Sequence, residues 1–172
     1  YFSTAFVRGT YGSKIGYNSS YGGDHGIRMA EAYLNRAEAL TRRFMTKGDE
    51  NDRVQALNDL NTLGFLFEAL CERDMKIYAE SFDAELYHYQ DYNNNEMDAV
   101  ISLPNGEWCG FEIKLGANQI EAAAQNLTRI RNEIRKDGGK EPAALCVVCG
   151  LSNAAYMRPD GVYVVPITAL KN

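Results

Sequence analysis

The stretch Met97–Gly116, MDAVISLPNGEWCGFEIKLG, decides how this chain is read. Two largely apolar runs, MDAVISL and EWCGFEIKL, flank Pro104-Asn105-Gly106, which is the turn chemistry of a β-hairpin. In FEIKL the side chains of Phe111, Ile113 and Leu115 face one way, while Glu112 and Lys114 share the other face. Asp98 opens the neighbouring antiparallel strand and approaches Glu112 across the pair. Two carboxylates converging at a sheet edge repel unless a cation or a proton sits between them, and a divalent metal with oxygen ligands is the usual resolution. The pattern predicts Mg²⁺ held by Asp98, Glu112 and the backbone carbonyl of Ile113. The Lys114 ammonium would then orient the attacking water and steady charge developing at phosphorus.

Outward from the hairpin, helical and strand periods alternate. A helix over Phe65–Phe82 places Phe67, Cys71, Met75, Tyr78 and Phe82 on one stripe. It sets Glu68 and Glu72 together on a neighbouring face, where either completes the metal shell. AELYHYQDY alternates as a strand and NNNE makes a turn. After the hairpin come a helix over Gln119–Lys136 closed by DGG, the strand PAALCVVCGL and a last strand GVYVVPI. The order is helix, three strands, helix, strand, with a short extra strand. Upstream, Tyr33, Ala37, Leu40 and Phe44 give a helix over Ile27–Lys47 that Gly48 ends. Asp49 or Asp52 caps a second helix carrying Val54, Leu57 and Leu60, so the two make a helical hairpin. Residues 1–26, rich in Gly, Tyr and Ser, read as loop with one or two short strands.

Composition narrows the classes. The chain has 172 residues and 45% hydrophobic content, enough for one core and a small satellite. No run of about 18 apolar residues spans a membrane, and the start YFSTAFVRGT lacks a signal-peptide pattern, so the expectation is a cytoplasmic protein. The absence of an initial Met reads as a fragment. Residues 1–63 carry a net +1 and residues 64–172 a net −6, so the second part is a poor non-specific binder of phosphate backbones. The strip Arg129, Arg131, Arg135 and Lys136 reads as a solvated helix face. Cys146 and Cys149 have CxxC spacing, yet on a strand positions three apart point to opposite faces, so all four cysteines read as reduced thiols in apolar segments. His25 and His88 read as structural, Trp108 as packing the hairpin, and Arg36 and Glu38 as scaffold. The absence of GxxxxGK[ST] and of GxSxG argues against a P-loop and a serine nucleophile.

The αβββαβ order with Asp98 followed one hairpin later by Glu112-Ile113-Lys114 resembles the PD-(D/E)xK nuclease superfamily. More closely, residues 64–172 resemble the domain of unknown function found C-terminal to AAA-type ATPase modules. GFLFEALCERDMKIYA, YHYQDYNNNEMDAV, GFEIKLG and GLSNAAYMRPDGVYVVPITAL carry that resemblance. It implies an α/β, restriction-endonuclease-like core and an ATPase partner. Gln90 departs from it, since that family often has Arg there to contact an anion. GIRMAEAYLNRAEAL followed by ALNDLNTL resembles the C-terminal part of SusD-like glycan-binding lipoproteins, where this hairpin is a scaffold. The chain thus reads as a SusD-like fragment over 1–63 joined near Leu63–Gly64 to a nuclease-like domain over 64–172.

The expected function is Mg²⁺-dependent hydrolysis or binding of nucleic acid as the accessory half of an AAA-type ATPase. Catalytic candidates are Asp98, Glu112, Lys114 and Glu68; metal candidates are Asp98, Glu112 and the Ile113 carbonyl. The alternatives are a non-catalytic protein-docking domain on the same fold and a SusD-like carbohydrate-binding fragment. The hairpin stripe must be buried against the second domain or against a second chain, in a homodimer through Tyr33, Leu40 and Phe44.

Overall fold

The computed structural model describes residues 19–92 and 95–170, with side chains from Met29 onward. Of the loop expected over residues 1–26, residues 1–18 lie outside these, as does the tip of the NNNE turn, and residues 19–26 are helical. The chain is mixed α/β, with three α-helices and a six-stranded sheet among the described residues. It divides into two units, residues 1–69 and residues 70–172.

In the first unit, α1 (Ser19–Lys47) and the start of α2 (Glu50–Glu80) form the expected hairpin. α1 begins eight residues before the expected Ile27, running through Gly22, Gly23 and Gly26. Each glycine costs a helix about 1 kcal/mol, an amount that added turns offset once the helix is nucleated. Gly48, at φ 70°, ends α1, with its N–H donating to the Phe44 carbonyl. The Asp49 carboxylate caps α2 by accepting the Asn51 N–H at 3.0 Å.

The helices are joined mainly by charge. Arg36 donates to both oxygens of Asp59 at 2.7 Å, and two turns along α1 Arg43 pairs with Asp52. The α2 face turned to α1 therefore carries Asp52, Ala56 and Asp59, all buried. Val54, Leu57 and Leu60, the apolar residues from which the second helix was read, are exposed. Tyr33, Leu40 and Phe44 are half-buried and Ala37 buried, as their spacing implied. The hairpin is two helices thick, so Asp59 is covered by the guanidinium it binds and not by depth.

The separate helix expected over Phe65–Phe82 is the continuation of α2, which runs unbroken through Leu63 and Gly64. Without proline, one glycine does not stop a helix whose flanks are good helix formers.

In the second unit the sheet runs β1 (Glu85–Gln90), β2 (Glu96–Ser102), β3 (Trp108–Lys114), β4 (Ala144–Cys149), β6 (Tyr163–Pro166), β5 (Tyr156–Met157). β1, β2 and β3 are an antiparallel meander, and β4 is parallel to β3. Parallel neighbours need a crossover, which α3 (Ile120–Lys136) supplies. Its buried stripe Ile120, Ala123, Ala124, Leu127 and Ile130 packs with Met97, Leu145, Val147, Cys149, Val162 and Val164. Trp108, placed on the hairpin from sequence, packs against this core and donates its indole N–H to the Lys140 carbonyl at 2.8 Å.

Gly110 leaves room for the core side chains of its neighbouring strands: a Cβ there would lie 2.7 Å from the Met97 sulfur and 3.0 Å from Leu145 Cδ2. Trp108, Gly110, Glu112 and Lys114 alternate onto this same face. On the other face Ala99, Ile113, Cys146 and Val148 are buried, and within the same unit α2 buries Cys71, Met75 and Ala79.

Candidate functional site

The β1–β2 pairing shifts register between Tyr87 and Tyr89: Tyr87 pairs with Val100 but Tyr89 with Met97. His88 thus stands opposite two residues, Asp98 and Ala99, which is a β-bulge. The bulge explains how Met97 and Val100, three apart, both meet the core beneath α3. It also turns the start of β2 so that Asp98 leans over β3.

The β2–β3 ladder ends at Ala99 with Phe111, and Asp98 is the next residue of β2 beyond it. There Asp98 Oδ2 accepts the Ile113 N–H at 2.6 Å and the Lys114 ammonium at 2.9 Å. Lys114 Nζ also reaches Glu112 Oε2 at 2.6 Å. The three charges that the sequence singled out thus meet within one cluster, with the ammonium between the carboxylates. Because a strand residue turns its N–H and C=O to the same side, the Ile113 carbonyl faces the β2 edge where the ladder has stopped.

The cluster is shielded: side-chain exposure is 11% at Asp98, 6% at Glu112 and 25% at Lys114. Burial pushes the Glu112 carboxyl up, the Asp98 charge pushes it further, and bonds from Lys114 and Asn126 oppose both without cancelling them. For Lys114 burial works against the charge, but the two carboxylates outweigh it and its pKa is raised. Two carboxylates share one ammonium in a low-dielectric setting, and the surplus negative charge favours uptake of a proton or a second cation.

The helix carboxylates separate. Glu72 lies in the unit that holds the sheet, and its carboxyl is raised by burial and by the Asp98 charge, with His88 opposing. Glu68 falls in the first unit. His88, read as structural, is exposed on β1, with Nδ1 3.4 Å from the Asp98 carbonyl and Nε2 3.2 Å from Glu96.

Asn126, which no motif flagged, donates its side-chain amide to Glu112 Oε1 at 2.7 Å and to the Glu96 carbonyl at 2.9 Å. Its position bordering the buried stripe of α3 was the available signal. Arg129, placed on a solvated face, is exposed and donates to Asn126 Oδ1 at 2.6 Å.

Among the described residues no three His, Cys, Asp or Glu side chains gather as a metal-ligand set. Mg²⁺ asks for less, since it keeps several waters and is commonly held through one or two carboxylates. Two hard oxygen donors with uncompensated negative charge fit that demand. None of the four cysteines forms a disulfide, and burial, helped by Cys109, pushes Cys146 up to about 12. No helix among the described residues is long and apolar enough to cross a membrane.

A family model described as Domain of unknown function (DUF4143) matches residues 63–170. The chain belongs to this family, an uncharacterised domain commonly found with AAA-type ATPases. No curated protein and no solved structure matches the chain.

Proposed function

We propose that residues 64–172 are a PD-(D/E)xK-type, restriction-endonuclease-like domain that acts on nucleic acid, with Mg²⁺, as the accessory module of a cytoplasmic AAA-type ATPase. The observation that carries this reading is the meeting of Asp98, Glu112 and Lys114 at the edge where the β2–β3 ladder ends. The antiparallel meander, the crossover helix and the parallel β4 agree with an αβββαβ core.

Asp98, Glu112 and the Ile113 carbonyl would hold the ion, with the helix carboxylate Glu72, which lies in the same unit, completing its surroundings. When bound, Mg²⁺ supplies a polarised water and stabilises charge on a phosphoryl oxygen. The chain's own part is orientation. Lys114 moves from bridging two carboxylates to holding a water or a developing negative charge, and the apolar face beneath α3 keeps bulk water from Glu112. The SusD-like hairpin is a scaffold on this reading and pairs with a second copy of the chain. A monomer mass at every concentration in light scattering would refute that pairing.

A second reading, a docking domain without catalysis, is favoured by one observation: Lys114 already bridges both carboxylates, so the cluster also works as a clasp closing the sheet. Calorimetric titration of the whole chain separates the two. The nuclease reading expects Mg²⁺ or Mn²⁺ to bind at up to millimolar concentration and Glu112→Gln to abolish it. No heat of binding in the wild type, with no cleavage of single- or double-stranded substrates, would favour docking.

A further inference from the structure

Past the last ladder pair, Ala99 with Phe111, the joining of β2 to β3 passes from backbone to side chains. Asp98 takes the Ile113 N–H and Lys114 bridges the carboxylates. A third clasp comes from α3. One amide nitrogen, Asn126 Nδ2, donates to the Glu96 carbonyl on β2 and to Glu112 Oε1 on β3, at 2.9 and 2.7 Å. One turn on, Arg129 donates to Asn126 Oδ1 at 2.6 Å. A guanidinium carries only donors, so this contact fixes which end of the amide is oxygen and directs the nitrogen at Glu112.

We propose that Asn126, oriented by Arg129, is a positioning residue that holds the Glu112 carboxylate against the start of β2 and so sets its span from Asp98. The inference rests on the reading of Asp98 and Glu112 as metal ligands. Partners that orient a ligand from behind commonly change metal affinity 10- to 100-fold when removed.

The same helix supplies a control. Seven residues on, Glu133 accepts from the Asn95 side-chain amide at 2.6 Å, which also ties α3 to the residues leading into β2 but involves none of Asp98, Glu112 and Lys114. If Asn126 merely docks the helix, the two ties are equivalent. If it positions Glu112, only one of them reaches the metal.

The test is Mn²⁺ titration by calorimetry on the full chain, beside thermal unfolding, for wild type, Asn126→Ala, Arg129→Ala and Glu133→Gln. Asn126→Ala is expected to weaken Mn²⁺ binding about 10-fold or more. Its melting temperature should fall no further than that of Glu133→Gln, whose Mn²⁺ affinity stays at the wild-type value. Arg129→Ala retains the amide but frees it, so it should weaken binding by a smaller factor and keeps the test valid if Asn126→Ala fails to fold. In a metal-free arm, the Asn126 side-chain amide protons should exchange more slowly than those of an exposed asparagine, and Glu112→Ala, which removes one of the two acceptors, should reduce that protection. Wild-type affinity in both Asn126→Ala and Arg129→Ala, or equal weakening by Glu133→Gln, would overturn the positioning role while leaving the metal site standing. A wild type that binds no Mn²⁺ would overturn both.

Discussion

Glu112 and Lys114 answer opposite questions about charge. The carboxyl of Glu112 is raised in the folded chain, so its contribution to stability is complete below its ordinary value near 4.5 and is lost as pH rises through the folded value. Glu112→Gln mimics the protonated form, and Lys114 keeps Asp98 at 2.9 Å. The variant should therefore be at least as stable as wild type at pH 7 without metal, with the advantage vanishing near pH 4 in urea unfolding. A large loss at pH 7 would show that the Glu112–Lys114 pair dominates. Lys114→Ala does the reverse, leaving two shielded carboxylates without their ammonium. It should cost about 1–3 kcal/mol at pH 7, less than for a fully buried pair because the lysine is a quarter exposed. Millimolar Mg²⁺ should restore part of the loss. The meeting of Asp98, Glu112 and Lys114 was legible because strand parity is a local property. Asn126 was not, because its partners lie 14 and 30 residues away in sequence, across the α3 docking geometry.

Elements follow the same division. α3 was readable from its stripe, and Leu127 at its centre is fully buried, so Leu127→Ala should cost about 2–5 kcal/mol in chemical denaturation. The β1–β2 bulge had no sequence signal: AELYHYQDY alternates cleanly, and the extra residue sits on β2, where alternation alone would separate Met97 from Val100. α2 shows a limit of a different kind. Its exposed Val54, Leu57 and Leu60 suggested a stripe, while the face that meets α1 is built on Asp52 and Asp59, residues that hydropathy assigns to solvent. The bond from Arg36 holds the Asp59 carboxyl below its ordinary 3.8, and Arg43 does the same for Asp52. A depressed carboxyl contributes stability above its unfolded value that is lost as pH falls through the folded one. Helical signal from the hairpin should therefore decline below about pH 4, and Asp59→Ala should remove part of that acid sensitivity.

On the scale of the whole molecule, the join expected near Leu63–Gly64 lies inside one continuous helix, while family membership begins at residue 63 and the boundary between the two units falls after Ala69. Helical propensity carries across such a boundary regardless of which family each side resembles, so a change of resemblance need not leave a break in secondary structure. The α/β class was legible because the meander, crossover helix and parallel strand each have local periods. Function was less so, since the same cluster would serve as a metal site only if Lys114 gave way to an ion, and otherwise as a clasp. The most direct measurement is cleavage of single- and double-stranded DNA and RNA by the whole chain with and without Mg²⁺, for wild type and Glu112→Gln. Cleavage that requires Mg²⁺ and disappears in Glu112→Gln, with unfolding still cooperative, is the predicted result. Equal cleavage by the variant, or a wild type that neither cuts nor binds Mg²⁺ or Mn²⁺, would contradict the nuclease reading.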